Sequence, residues 1–169
     1  MAARSRSPGR NRSSVTDPFP DAKAAGVVLW NSNGEFLIGL QRRQGKWAEP
    51  GGKRFPGESV MICAKRELRE ETGLDEDIEG LAVQWDKPTH IPDCKYVFFQ
   101  GKIGAGKPAT STTFSEYKFV RSNDIPATSS FRLQRVAHFL RREANDEARR
   151  QAEPKRMAAL EEMLRRAVG

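Results

Sequence analysis

The sequence predicts a fold of the α/β or α+β class with a mixed β-sheet, because strand-like segments that form hairpins are interspersed with helical ones. The first observation is a pair of apolar segments, residues 24–30 and 35–43, joined by an Asn-Gly turn that is typical of a β-hairpin. The second is a helical segment at 59–72, which follows a loop over residues 44–52. Three further strand-like segments come after that helix: 81–85, 95–103 and 116–120.

Two helices are predicted from the spacing of apolar residues. In the first, Val60, Met61, Ala64 and Leu68 share one arc at about 100° per residue, and Gly73 suits a left-handed cap. The second helix starts at residue 131 and places these apolar residues on one stripe: Leu133, Val136, Ala137 and Leu140. Each stripe predicts a helix face that packs against the sheet.

Length and composition indicate one domain with charged ends. The 169 residues carry a net charge of +7, which favours anionic partners such as nucleotides, and no apolar run is long enough to span a membrane. Two cysteines are too few for a disulfide scaffold or a zinc cluster. Residues 1–21 form an Arg- and Ser-rich segment that predicts a disordered basic tail, with an organelle transit peptide as a minority alternative to a cytoplasmic location. Residues 22–142 are predicted as the domain, and residues 143–169 as a charged helical tail that Pro154 interrupts.

A cluster of glutamates at the end of the first helix is the strongest functional signal. Glu67, Glu70 and Glu71 are related as i, i+3 and i+4, and they fall together on the edge of the packing face. Like charges at these spacings destabilise a helix by about 0.2–0.5 kcal/mol per pair. The last turn also lies at the negative end of the helix dipole, where each negative charge costs about 0.3–1 kcal/mol more.

A bound divalent cation would compensate for this repulsion. Oxygen ligands select hard ions, so Mg²⁺ is expected first, with Mn²⁺ as the alternative. The other interpretation is a solvated acidic helix end with Arg66 and Arg69 as counter-ions. The residues around the cluster favour the metal site.

Those residues form a pattern of nine positions between residues 52 and 74: Gly52, Glu58, Arg66-Glu67-Leu68, Glu70-Glu71 and Gly73-Leu74. The pattern resembles the Nudix box of the Nudix hydrolases, with every fixed position filled. The preceding Trp47 and Pro50-Gly51-Gly52-Lys53 segment is similar to the usual lead-in of that family. The resemblance covers roughly residues 22–142 and implies a Nudix-type α/β/α sandwich with a mixed central β-sheet.

The resemblance also implies roles for the residues of the box. Glu70, Glu71 and the backbone carbonyl of Gly51 would be metal ligands, and Glu67 would be a ligand or the general base. Glu58 would support the metal cluster, and Arg66 would orient the glutamates through a charge-assisted pair. Glu116 lies on a late strand, where several members carry one more carboxylate that acts as ligand or base.

Candidate substrate-binding residues lie outside the box. Arg42 and Arg43 end the second strand, where a basic residue contacts substrate phosphate in MutT-like members, although a solvated strand end is an equal alternative for either. Lys53 follows the two glycines, and Trp47 is either a site residue or a half-buried anchor. Tyr96 is a candidate for stacking on a base, with core packing as the alternative. Glu49 is either a partner for a base edge or, slightly favoured, a solvent-facing residue.

The function implied by the resemblance is Mg²⁺-dependent hydrolysis of a nucleoside diphosphate linked to another group. A nucleoside triphosphate pyrophosphatase that yields a monophosphate and pyrophosphate comes first. ADP-ribose or nucleoside diphosphate sugars come second, and a capped RNA, attracted by the basic tails, comes third. A non-catalytic nucleotide sensor comes last, because such domains typically lose box carboxylates and this chain retains all four. The expected assembly is a monomer or a homodimer.

Overall fold

A computed structural model of the chain describes Asp17, residues 19–85 and residues 95–168. The strands are β1 (Ala22–Trp30), β2 (Phe36–Gln41), β3 (Trp47–Ala48), β4 (Gly51–Lys53), β5 (Ile78–Trp85), β6 (Lys95–Lys102) and β7 (Phe114–Val120). The helices are α1 (Val60–Thr72) and α2 (Phe131–Val168). Most of the basic tail predicted at 1–21, and Cys94, lie outside the described residues. Neither helix of the described residues contains an apolar stretch of the length that a bilayer span requires.

The seven described strands form one mixed sheet. Its main path runs β3-β2-β1-β6-β5, with β4 paired to β1 and β7 paired to β2. The β1–β6 pair is parallel and the other pairs are antiparallel. The segment at 44–52, predicted as a loop, contains β3 and the first two residues of β4; short antiparallel pairings add these strands to β2 and β1.

A layer of apolar side chains covers each face of the sheet. On one face, Val60, Ala64 and Leu68 of α1 pack against alternate residues of β1, which include Val27 and Leu29. On the other face, the α2 stripe of Leu133, Val136 and Leu140 packs with a second cluster that contains Val28, Phe36 and Phe98. The predicted sandwich of helices around a mixed sheet is confirmed.

The ends of α1 place the glutamates in space. Ser59 caps the N-terminus, since its Oγ accepts a hydrogen bond from the backbone N–H of Ile62 at 3.2 Å. Gly73 ends the helix with φ of 73°, a left-handed conformation that glycine adopts without strain, and its N–H donates to the Arg69 carbonyl. The last turn, with Glu70 and Glu71, is therefore held in a defined position next to β4.

Helix α2 continues without a break through the segment where an interruption was predicted. Pro154 lies inside the helix, so the prediction of a break at this residue is wrong. The flanking sequence is rich in alanine and has intrahelical ion pairs, such as Glu147–Arg150 and Glu162–Arg166, which favour a continuous helix. Most side chains beyond residue 141 are exposed, so this part of α2 extends past the sheet.

Candidate active site

The site lies where the β3–β4 segment approaches α1. Gly51, the first residue of β4, is buried and pairs with Gly26 of β1. A Cβ on Gly51 would lie 2.7 Å from the Ala25 carbonyl oxygen, so only glycine allows this approach. The Gly51 N–H donates to Glu71 Oε2 at 2.8 Å, which ties the end of α1 to β4.

Arg66 connects three of the four box glutamates. Its Nε and Nη2 donate to the two oxygens of Glu58 at 3.1 and 2.7 Å, a bidentate pair. Its Nη1 donates to Glu67 Oε1 at 2.8 Å and to Glu70 Oε2 at 3.1 Å. Its Nη2 also donates to the Lys53 carbonyl at 2.9 Å, so one guanidinium holds both the loop and the helix.

The electrostatic environments of the carboxyl groups differ. The hydrogen bonds from Arg66 lower the pKa of Glu58 to about 2, and they raise the pKa of Arg66 above its usual range. Burial raises the pKa of Glu67, although Arg66 opposes this shift. Burial also raises the pKa of Glu71 to about 8, more than the hydrogen bond from Gly51 lowers it. Glu71 is therefore a buried carboxyl group whose negative charge is incompletely compensated by its described neighbours.

The donor atoms fit a hard divalent cation. The carboxylates of Glu67, Glu70 and Glu71 and the carbonyl of Gly51 offer only oxygen, the ligand that Mg²⁺ and Mn²⁺ prefer. As the described side chains stand, no group of three or more His, Cys, Asp or Glu residues is gathered closely enough to hold an ion. Arg66 donates hydrogen bonds to two of these three carboxylates, those of Glu67 and Glu70. Glu70 is 57% exposed and has room to turn, which makes the donor set compatible with a cation.

A second arginine approaches the site from α2, and the sequence analysis did not identify it. Arg132 Nη2 donates to the Glu49 carbonyl at 3.0 Å and to the Gly51 carbonyl at 3.3 Å. Its Nε lies 2.5 Å from Glu49 Oε1, which also accepts a hydrogen bond from the Tyr96 hydroxyl at 2.9 Å. The only signal for Arg132 in the sequence is a cation in the first turn of a helix, where the dipole disfavours positive charge.

The two partners of Arg132 lie deeper than the sequence suggested. Glu49 is completely buried, so the slightly favoured expectation that it faces solvent is wrong. The ion pair with Arg132 allows this burial, because an unpaired buried carboxylate would be far less stable. Tyr96 is 4% exposed, and the Arg132 guanidinium lies 4.9 Å from its ring centroid.

The other substrate-binding candidates lie at the surface. Arg42 and Arg43 are exposed, and Arg42 Nε donates to the Ser111 carbonyl at 2.8 Å. Lys53 is exposed at the end of β4. Trp47 is half-buried on β3, with Lys118 Nζ 4.1 Å from its ring centroid. Three of the candidates, Arg42, Arg43 and Lys53, are therefore exposed cations, and their contact with substrate stays a prediction.

Glu116 is exposed on β7. Its neighbour Tyr117 is directed towards α1, because the Tyr117 hydroxyl donates to the Glu71 carbonyl. Since successive strand residues point to opposite faces, Glu116 is directed away from α1. Its role as ligand or base stays a prediction.

The family of the chain follows from comparison with known proteins. A family model described as NUDIX domain matches residues 20–142, well over half of the sequence. The chain belongs to the NUDIX family. This match includes α1, both glycines of β4 and Arg132, so all the site contacts described above fall within the family domain.

Several relatives are enzymes named for hydrolysis of pyrophosphate bonds. A putative 8-oxo-dGTP diphosphatase of Bacillus subtilis (strain 168) is 28% identical over 104 residues, 62% of this chain and 69% of the relative. An oxidized purine nucleoside triphosphate hydrolase of Danio rerio is 33% identical over 97 residues, 53% of this chain and 61% of the relative. An RNA pyrophosphohydrolase of Erythrobacter litoralis is 33% identical over 91 residues, 50% of this chain and 52% of the relative. At the level of class, these names confirm the prediction of an enzyme that acts on pyrophosphate bonds.

Solved structures show the same fold. A MutT protein from Methanosarcina mazei Go1 has a TM-score of 0.59 and 28% identity, over 72% of this chain and 93% of its own. An Ap4A hydrolase from C. elegans has a TM-score of 0.57 and 20% identity, over 70% of this chain and 98% of its own. At 20% identity, the similarity to the Ap4A hydrolase shows a shared fold alone. The NUDIX fold therefore covers the described sheet and α1, while most of the exposed part of α2 falls outside the family match.

Proposed function

We propose that this chain is a divalent-cation-dependent pyrophosphohydrolase of nucleoside triphosphates, which yields a nucleoside monophosphate and pyrophosphate. One arrangement supports the proposal: Arg66 joins Glu58, Glu67 and Glu70 at the helix whose Glu71 reaches the Gly51 amide. The names of the Bacillus and Danio relatives favour triphosphate substrates.

The proposed cation is Mg²⁺, with Mn²⁺ as an alternative. Glu70, Glu71 and the Gly51 carbonyl would hold it, and Glu58 would support them from its bidentate pair with Arg66. When bound, such a cation would neutralise the diphosphate charge and lower the pKa of a coordinated water. The helix end then no longer carries uncompensated negative charge, which accounts for the unfavourable placement of the glutamates.

The chain's own residues divide the remaining tasks. Glu58 is fully engaged by Arg66, so we assign it to positioning. Glu67 makes one described hydrogen bond, to Arg66, and it is the proposed acceptor of the proton from the attacking water. Arg42, Arg43 and Lys53 are the proposed contacts for substrate phosphates, because they are exposed cations.

RNA with a 5′ triphosphate or cap is the second candidate substrate class. Two observations favour it: the Erythrobacter relative is named an RNA pyrophosphohydrolase, and the chain has a net charge of +7. Binding of RNA through several phosphate contacts would weaken steeply with salt, whereas binding of one nucleotide would depend on salt less.

The test is turnover of a substrate panel by the purified protein with Mg²⁺, with Mn²⁺ and with EDTA. The panel holds canonical and oxidised nucleoside triphosphates, ADP-ribose, diadenosine polyphosphates and a short triphosphorylated or capped RNA. We expect cation-dependent release of a nucleoside monophosphate and pyrophosphate, loss of this activity in Glu70→Gln, and full activity in the control Glu161→Gln, which alters an exposed residue of α2.

The outcomes separate the candidates. Preferred turnover of RNA, with KM rising steeply between low and moderate salt, would replace the nucleotide assignment with the RNA one. Turnover that survives EDTA, or a fully active Glu70→Gln variant, would refute the metal site. Nucleotide binding without any turnover would identify a sensor domain.

A further inference from the structure

The backbone of Gly51 is hydrogen-bonded to side chains from both helices, α1 and α2. Its N–H donates to Glu71 Oε2 of α1 at 2.8 Å, and its carbonyl accepts from Arg132 Nη2 of α2 at 3.3 Å. The preceding Pro50 carbonyl accepts from the Val27 N–H at 2.9 Å, which anchors the same segment to β1. The Pro50–Gly51 peptide group is therefore held by α1 and β1, and the Gly51 carbonyl, which belongs to the next peptide group, is held by Arg132.

Arg132 makes a multiple contact with this segment that only a guanidinium provides. It donates to the carbonyl of Glu49 and that of Gly51, and it approaches the Glu49 carboxylate at 2.5 Å. A lysine offers a flexible point charge in place of the planar fork, so it would not hold the Glu49 carboxylate and the two carbonyls at the same time.

The charge of Arg132 is balanced next to the site. Glu49 is completely buried, and its Oε1 lies 2.5 Å from Arg132 Nε, so Glu49 is the counter-ion of Arg132. The neutral pair orients the Gly51 carbonyl without adding net positive charge beside a cation site. A carbonyl oxygen has two lone pairs, so the one that accepts from Arg132 leaves the other available.

We infer that Arg132, through its ion pair with Glu49, is a positioning residue that presents the Gly51 carbonyl to the catalytic cation. This inference rests on the proposed function, which makes Gly51 a ligand. It explains why a cation stands in the first turn of α2, where the helix dipole disfavours it. It also assigns Glu49 and Tyr96 to the support of this pair, since the Tyr96 hydroxyl donates to Glu49.

The experiment measures Mn²⁺ affinity in the absence of nucleotide, by calorimetry and by electron paramagnetic resonance. The variants are Arg132→Lys and Glu49→Gln, with Arg135→Lys as the control because Arg135 is exposed on the same helix. Loss of supporting contacts around a metal typically weakens affinity about 10- to 100-fold. We expect such a weakening in both variants, none in the control, and a double variant that is no weaker than the worse single one.

Each outcome has one reading. If wild-type protein binds no Mn²⁺, the proposed function itself fails. If wild-type protein binds Mn²⁺ and both variants bind it equally well, the inference is wrong, and a lower melting temperature in EDTA would then show a purely structural role. If either variant does not fold, Tyr96→Phe replaces it, because this change removes one hydrogen bond to Glu49. Weaker Mn²⁺ binding by this variant, with an unchanged circular dichroism spectrum, would support the inference. Unchanged Mn²⁺ binding would overturn it.

Discussion

Gly52 lies so close to the Glu67 carboxylate that a Cβ on Gly52 would be 2.7 Å from Glu67 Oε2. A contact under 3.0 Å requires one of the two groups to move. The Glu67 side chain would move more easily than the backbone of β4, because β4 is paired with β1. Because Gly52 has no side chain, the Glu67 carboxylate can lie directly against β4.

The first prediction concerns this contact. Gly52→Ala should reduce kcat about 100-fold, because displacement of a reacting group by about 1 Å can cost that much. The matched control is Gly104→Ala: a Cβ on Gly104 would lie 3.3 Å from the nearest atom, the Glu76 carboxylate. Steady-state kinetics and thermal unfolding of both variants test the prediction, and a Gly52→Ala enzyme with the wild-type kcat would contradict it.

The second prediction concerns Arg66. Arg66→Lys retains the charge but loses the bidentate pair with Glu58. Since a hydrogen bond to a charged group contributes about 1.5–3 kcal/mol, and these side chains are largely buried, the free energy of unfolding should fall by about 2 kcal/mol. Turnover should fall as well, because Glu67 and Glu70 lose their shared donor.

Arg69 provides the control for this measurement. It lies one turn from Arg66 and pairs with Asp75, but both side chains are more than half exposed. Exposed ion pairs contribute little, so Arg69→Lys should change the urea midpoint and kcat only slightly. Equal effects of the two substitutions would show that Arg66 has no special role.

The third prediction concerns the reactivity of Cys63. This thiol is completely buried in α1, and burial raises its pKa to about 12. Because the thiolate is the reactive form, native protein should react very slowly with Ellman's reagent at pH 8.5, while unfolded protein reacts at once. The raised pKa also means that the stabilising effect of the neutral thiol is complete below pH 9, and it is lost as the pH rises from about 9 towards 12.

A Cys94→Ser background makes Cys63 the reporter, since the chain has two cysteines. Reaction of native protein within seconds at pH 8.5 would show that α1 opens readily or that the thiol is accessible. A rate of thiol reaction that rises with the urea concentration would support the buried position of Cys63.

The sequence predicted the local features of the site and missed those that depend on tertiary contacts. The spacing of Glu67, Glu70 and Glu71 on one helix edge is a local property, so it was readable from the helical period. The position of Arg132 was not readable, because its partners Glu49 and Gly51 are more than 80 residues away in sequence. These residues come into contact only because α2 packs on the sheet.

The same reasoning explains two errors. Carboxylates are rarely buried, and the sequence slightly favours solvent for Glu49, yet this residue is buried because Arg132 of α2 balances its charge. The sequence predicts a loop over residues 44–52, yet pairing with β1 and β2 makes β3 and the first two residues of β4 from this segment. In both cases a neighbour distant in sequence overrides the local preference.

The last prediction concerns Pro154, which lies within α2 although it lacks the N–H that would bond to the Arg150 carbonyl. A proline in a helix interior is less favourable than alanine by about 3 kcal/mol, so Pro154→Ala should strengthen the exposed part of α2. Far-ultraviolet circular dichroism should show more helix, and amide exchange around residues 150–158 should slow. Ala158→Gly is the opposing control and should accelerate exchange. Turnover should stay unchanged in both variants, because the segment lies outside the family domain and its side chains are exposed. A fall in kcat in either variant would show instead that the exposed part of α2 contributes to the site.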